Sequence, residues 1–444
     1  MTTRTRVRAR LPLRRLAAAA ATLYERLDDP RFEPDPGADP AAAEARLAAW
    51  RETVADGDPE RFVRRVQWDG WTPERVRAAL GGVRLRAGAP LPGWAAVVGD
   101  ALRRLHARPA SSDELFLPFV EAGRARLADH GSLSPAAMAA LEEALLHRLA
   151  ADFAPALGVE RAAFLALHPG AVEARFVERM RRGGLAALLR RLPVLARIAG
   201  VRVRHWVAAS AELARRLEAD RAALEQAFGA LGKVTSLRAD LSDPHAGGRR
   251  VCVLTFASGV RVVYKPRPLA LDAAFQSLLA RLNRWGAEPP LRVLRVIDRG
   301  TYGWCEHVDA SSVTDADRFH QRAGMLLCLA WVLGGSDLHA GNLLAAGEHP
   351  VLVDLEVMFG APLETASQDD ATLAAAYADW SSVLRTHLLP GWRAGREGGA
   401  ARREGGLVPH GAAEHRDALL AGFGRMYRLL AYRSAELLAP GGTL

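Results

Sequence analysis

"GGSDLHAGNLLAAGEHPVLVDLEVMF", residues 334–359, sets Asp337, His339 and Asn342 on one loop and follows them with Asp354 and Glu356 at the end of an apolar run. Aspartate, glutamate and asparagine are hard-oxygen ligands, and aspartate and histidine move protons. Each of them alone has an ordinary structural use. A loop Asp-x-His often braces its own turn, and an Asp at a strand end often caps one. Their joint spacing is what gives them weight. Asp337 and Asn342 stand five apart, and an acidic pair closes the next predicted strand, 350–357.

Upstream, "TDADRFHQRAGMLLCLAWVLGG" predicts a helix with Thr314 as N-cap and Gly334-Gly335 as its stop. Before it, "LRVLRVIDRGTYGWCEHV" (291–308) reads as two strands around "DRG", and "LALDAAFQSLLARLNRW" (269–285) as a helix. "RRVCVLTFASGVRVVYKPR" predicts a hairpin of strands 249–256 and 260–265, broken at "ASG", with Lys265 on its second strand. That lysine is conspicuous. Among 59 basic residues only Lys233 and Lys265 are lysines, and asparagine occurs only at Asn283 and Asn342. Where arginine is the default cation, a lysine suggests a chemical reason.

The order is hairpin with lysine, helix, strands, helix, polar loop, then a strand ending in acid. It is the order of a protein-kinase-like fold, whose parts are a strand lysine, an Asp-x-x-x-x-Asn catalytic loop and a metal-binding Asp. On this reading Lys265 faces nucleotide phosphates and Asp337 orients or deprotonates an attacking hydroxyl. His339 assists or braces the loop, and Asn342, Asp354 and Glu356 take Mg²⁺. "SDPHAGGRR" (242–250) is the candidate phosphate-covering loop. A rival is metal-assisted hydrolysis by Asp337, His339, His349, Asp354 and Glu356, which leaves Lys265 idle. "GALGKVTS" is not a P-loop: Ala227 stands where the first glycine belongs, and Val234 follows Lys233.

Residues 1–236 read as helices rich in Ala, Leu and Arg. Two N-termini are legible, Thr72 before Pro73 and Ser134 before Pro135, and "DDPRFEPDPGADP" (28–40) reads as a loop. The predicted class is α+β: a helical region 1–236, then a kinase-like bilobal core 237–444, with a nucleotide lobe at about 237–310 and a helical lobe at about 311–444. The net charge of +9 is spread thinly and accompanies no nucleic-acid motif, so nucleic acid is not an expected partner. Cys252, Cys305 and Cys328 match no zinc or redox spacing and suit a reducing cytoplasm. No apolar run is long enough to span a bilayer. The basic-then-alanine start flows into a charged helix rather than a cleavage site.

Beyond this order, "VVYKPRPLALDAAFQSLLARLN", "GWCEHV", "AGMLLCLAWVLGGSDLHAGNLLAAGEHPVLVDLE" and "SSVLRTHLLPGW" resemble the dehydratase domain of class II (LanM-type) lanthipeptide synthetases. So do "FLPFVEAG" (116–123) and "LPVLARIAG" (192–200). The resemblance covers nearly the whole chain. It implies a kinase-like fold related to lipid kinases and a Mg·ATP-dependent phosphorylation of Ser and Thr in a ribosomal precursor peptide, followed by phosphate elimination to dehydroalanine or dehydrobutyrine. It implies that Lys265 is the nucleotide-site lysine and that Asp337, His339 and Asn342 form the catalytic D-x-H-x-x-N loop. Asp354 and Glu356 match the D-x-E metal motif, and Asp243 and His245 the phosphate-loop pair. The family's elimination Arg and Thr lie beyond a segment like "LLAGFGRMYRLLAYRSAELLAPGGTL", where this sequence stops. Arg385 and Thr386 sit in a different family segment, and the stretch between "LLPGW" and "LVPHGAAEH" is shorter than the family's. The expectation is therefore a chain truncated before the elimination motif and the cyclase, with no zinc, and with any cyclase a separate partner. The alternatives are a small-molecule kinase of the aminoglycoside-phosphotransferase or choline-kinase type and a non-catalytic peptide-binding remnant. The long helical N-terminal half and "YKPR" argue against the former.

Overall fold

The computed structural model describes residues 12–105, 111–128, 131–239, 241, 245–360, 381–393 and 402–439. They are a mixture of helix and small antiparallel sheets, an α+β architecture. The chain forms two compact units, Met1–Ala223 with Lys233–Arg250, and Leu224–Gly232 with Val251–Leu444.

The first unit is built on α1 (Gly93–Arg103), α2 (Leu117–Arg124), α3 (Pro135–Leu167) and most of α4 (Pro193–Phe228). The predicted starts hold. The Ser134 hydroxyl accepts from the Ala137 N–H at 3.1 Å, with Pro135 opening α3. Thr72 does the same for Arg75 at the head of Pro73–Gly81. Trp94, Phe116, Phe119, Phe153 and Phe176 fill the core, with Ala196, Ala199 and Val203 of α4 among them. Phe116 and Phe153 lie 4.5 Å apart, centroid to centroid. The expected loop 28–40 contains a short strand: Phe32–Pro34 pairs antiparallel with Val83–Leu85. Burial of Phe32, Val83 and Leu85 drives this pairing, and three residues are too few to show a period in sequence.

In the second unit β1 (Cys252–Phe256) and β2 (Arg261–Lys265) form the predicted hairpin, closed by a turn with Gly259 at φ +83°. Next come α5 (Ala270–Arg284), then β3 (Val296–Asp298) and β4 (Gly303–Glu306). These strands lie in the order β1–β2–β4–β3, with Lys265 opposite Gly303. Leu269, before α5, offers no polar side chain as a cap, and its own N–H donates to the Asp298 carboxylate of β3 at 3.0 Å. That bond ties the first turn of α5 to the sheet.

α6 (Ala316–Val332) starts one residue later than expected. Asp315, not Thr314, is the N-cap, and its carboxylate accepts from the Arg318 N–H at 2.9 Å. Both residue types cap well, so the backbone decides between neighbours. α6 crosses α7 (Arg416–Tyr432) at two glycines. A methyl on Gly324 would overlap the Leu419 carbonyl, and one on Gly422 would overlap that of Gln321. Arg322 of α6 is buried. It donates to the carbonyls of Pro290 (2.8 Å) and Glu348 (3.0 Å), which fastens the turn of the hairpin of β5 (Leu343–Ala346) and β6 (His349–Leu352) to α6. The expected strand 350–357 thus ends at Leu352. Beyond it Leu355 and Met358 turn into the core, and Met358 N–H bonds back to Leu355 at 3.1 Å. Among the described residues no helix is long and apolar enough to cross a membrane.

Candidate functional site

The β5–β6 register organises the site. Leu343 pairs with Leu352, so the next rung joins Asn342 to Val353, whose N–H donates to the Asn342 carbonyl at 3.1 Å. One step further stands Asp354. Val353 also has a second partner, because Lys265 Nζ donates to its carbonyl at 2.5 Å. One residue therefore gathers the end of the polar loop, the start of the acidic segment and the strand lysine.

The loop itself is held from several sides. Gly335 N–H returns to Ala330 at 2.7 Å and stops α6, while Leu338 is buried and its N–H donates to the Thr386 carbonyl at 2.9 Å. Anchoring at Leu338 leaves Asp337 and His339 exposed on either side of it. Asn342 Nδ2 closes the loop on the Asp337 carbonyl at 3.0 Å. The Gly341 N–H donates to His339 Nδ1 at 3.0 Å, which assigns the proton of a neutral His339 to Nε2. Asp337 has φ +54°, a left-handed conformation that costs a non-glycine residue about 1 kcal/mol or more. Facing it, His387 has φ +57°, with Nδ1 3.5 Å from Asp337 Oδ1. His387 and Thr386 were not among the expected site residues. They come from the "SVLRTHLLP" segment, and no local spacing links them to the loop.

Two further residues escaped the sequence reading. Asp272, in the first turn of α5, is buried and accepts from Lys265 Nζ at 3.1 Å. Arg267, two residues beyond Lys265, donates to Asp272 Oδ2 at 2.8 Å and to Asp354 Oδ1 at 2.9 Å, and its Nε lies 3.5 Å from Glu356 Oε2. Burial alone would lower the Arg267 pKa. The hydrogen bond and charge of Asp272, with the charges of Asp354 and Glu356, outweigh burial and raise it above the ordinary guanidinium value. Cys305, on β4 near this network, is pushed up to about 11 by burial and is an inert thiol.

Of the expected residues, Lys265, Asp337, His339, Asn342, Asp354 and Glu356 all lie in the second unit, on this loop, the adjoining hairpin end and the end of β2. His245 belongs to the first unit, in a turn where its N–H donates to Arg249 at 2.8 Å; Asp243 lies outside the described residues. His349 stands at the turn of the β5–β6 hairpin, the opposite end from Asp354. That separates it from the acids of the hydrolytic alternative. Among the described residues no three His, Cys, Asp or Glu side chains are grouped to hold a metal ion. Magnesium does not require such a cage: it takes one or two carboxylates and completes its shell with water and phosphate. Asp354 and Glu356 already share one cation, the Arg267 guanidinium, so the donor set suits a positive charge.

Residues 192–412 match the family described as a domain of unknown function, DUF4135. Part of the chain is also similar to the lacticin 481/lactococcin biosynthesis protein LcnDR2 of Lactococcus lactis subsp. lactis, with 31% identity over 132 residues. That alignment covers 27% of this chain and 14% of the length of the relative.

Proposed function

We propose that this chain, whose residues 192–412 belong to the DUF4135 family and which carries a dehydratase region of the LanM lantibiotic-synthetase type, phosphorylates Ser and Thr hydroxyls of a ribosomal precursor peptide from Mg·ATP. The observation that carries this reading is the Val353 junction, where the main chain of one residue bonds the Lys265 ammonium and Asn342 of the polar loop and leads directly into Asp354. Phosphoryl transfer asks little covalent chemistry of a protein and much positioning. Asp337, exposed at the loop tip and held by the strained backbone, accepts the proton of the attacking hydroxyl. The hydroxyl oxygen bonds to the terminal phosphorus as the bond to the ADP oxygen breaks. Lys265, braced by Asp272 as a kinase lysine is braced by an acid of its helix, offers the phosphates a fixed point charge. Asn342, Asp354 and Glu356 would hold the magnesium, which supplies charge neutralisation of the phosphates. For this chain the proposed product is the phosphopeptide; phosphate elimination to dehydroalanine or dehydrobutyrine, and the cyclase that uses the dehydrated peptide, are steps the resemblance implies for the family.

The test is the intact mass of a precursor peptide encoded beside this gene after incubation with the protein and Mg·ATP. A gain of phosphate, or a loss of water, that Asp337→Ala abolishes is the expected result. An unchanged peptide, with no ATP bound by the protein, overturns the reading. Phosphorylation of an amino sugar and of no peptide would replace it with a small-molecule kinase.

A further inference from the structure

We infer that Arg267 is a resident counter-cation that holds the Asp354–Glu356 pair in place of a divalent ion, so that metal loading is a displacement. The inference rests on the metal role proposed above for these acids. A guanidinium between two carboxylates and a metal ion between the same two carboxylates compete for the same oxygens. Arg267 is tethered rather than free, because Asp272, buried at the foot of α5, grips its Nη1 at 2.8 Å. The tether keeps the positive charge beside Asp354 whether or not metal is present, and like charges at that range repel.

The placement has a functional logic. Asp354 and Glu356 are 40% and 49% exposed, open to ions from solution, whereas Arg267 is 20% exposed. Without the arginine this pair would collect any divalent cation. With it, a bare metal ion meets a pair whose charge the guanidinium already partly offsets. A metal ion arriving with a nucleotide brings phosphate oxygens that complete its shell and offset the guanidinium charge. Arg267 thereby couples metal binding to nucleotide binding. It acts through the two carboxylates and is a positioning residue.

The test measures Mn²⁺ binding to the full chain without nucleotide, by electron paramagnetic resonance of free Mn²⁺, in the wild type and in Arg267→Gln, Arg267→Lys and Asp354→Asn variants. Circular dichroism confirms that each is folded. Arg267→Gln is expected to bind Mn²⁺ at least about tenfold more tightly, because a neutral amide neither occupies the carboxylates nor repels the ion. Arg267→Lys keeps the charge but not the bridge between the two carboxylates, and is expected to tighten Mn²⁺ binding by less than Arg267→Gln does. Equal or weaker binding by Arg267→Gln, with Asp354→Asn still abolishing it, overturns the displacement and leaves the metal role of the acids intact. Equal tightening by Arg267→Lys and Arg267→Gln also overturns it. If Asp354→Asn removes no Mn²⁺ from any of these proteins, the metal site itself is refuted, and the displacement falls with it.

Discussion

Asp272→Ala removes one buried carboxylate and leaves two cations behind. Their environments differ. Arg267 keeps Asp354 and Glu356, and its side chain is partly exposed. Lys265 is buried and is left facing an uncharged acceptor, the Val353 carbonyl. Breaking a buried pair from one side costs about 3–5 kcal/mol, mostly because a charge is left in low dielectric. With one cation of the two still compensated, the lower end applies, about 3 kcal/mol. For a unit of this size that corresponds to a fall in melting temperature of roughly 6–12 °C. Urea unfolding of the variant, followed by circular dichroism, measures the loss directly. The diagnostic step is the double variant Lys265→Met with Asp272→Ala. It removes the stranded charge as well, so it should be less destabilised than the two single losses summed, with a coupling of about 2 kcal/mol. Additive losses, or an Asp272→Ala protein within about 1 kcal/mol of wild type, would refute the view that this pair is desolvated and mutually dependent.

Two other expectations come from packing and titration. Gly324→Ala should destabilise by about 1–3 kcal/mol, because its methyl strikes the α7 backbone, while Gly158→Ala, with open space around it in α3, should stabilise by about 0.5–1 kcal/mol; thermal melts of the same sign for both would refute the crossing. Burial holds the pKa of His320 and His410 below the ordinary histidine value, and these two rings and the stacked His415 share one cluster near Asp317. Below the unfolded pKa of about 6.5 the unfolded state then binds more protons than the folded one, so stability falls as pH drops through that value. Melting temperature should decline from pH 7.5 to 5.5 more steeply in wild type than in His320→Gln, and equal slopes would refute the assignment.

The legible parts of this molecule are those whose cause is local. Ser134 and Thr72 cap the helices they precede, and "ASG" closes the hairpin it interrupts, because those bonds join residues a few positions apart. The polar loop was legible through its spacing, since a short tight loop leaves Asp337 and Asn342 little freedom. Strand 350–357 was read too long because apolar residues continue past Leu352. Only tertiary packing shows that Leu355 and Met358 serve the core instead of a ladder.

Residue rarity was informative in half its instances, and the structure explains which half. Lys265 sits at the junction of the site, whereas Lys233 belongs to the first unit. Asn342 closes the loop, whereas Asn283 clamps Leu291 through both its amide groups, donating to the carbonyl at 2.7 Å and accepting the N–H at 2.8 Å. Neither amide can be exchanged for aspartate without losing the donor, so asparagine meets a donor requirement at both positions, and at Asn342 this stands beside the metal role proposed for its oxygen. Arg267 was invisible to the same criterion because arginine is this chain's commonest cation. Its distinction is relational: it is the arginine placed between a buried helix acid and the D-x-E pair, 87 residues apart from Asp354 in the chain. Two adjacent cations of different kinds then make physical sense. The compact ammonium of Lys265 fits a narrow buried slot with two acceptors, and the planar fork of Arg267 spans carboxylates that a point charge could not bridge.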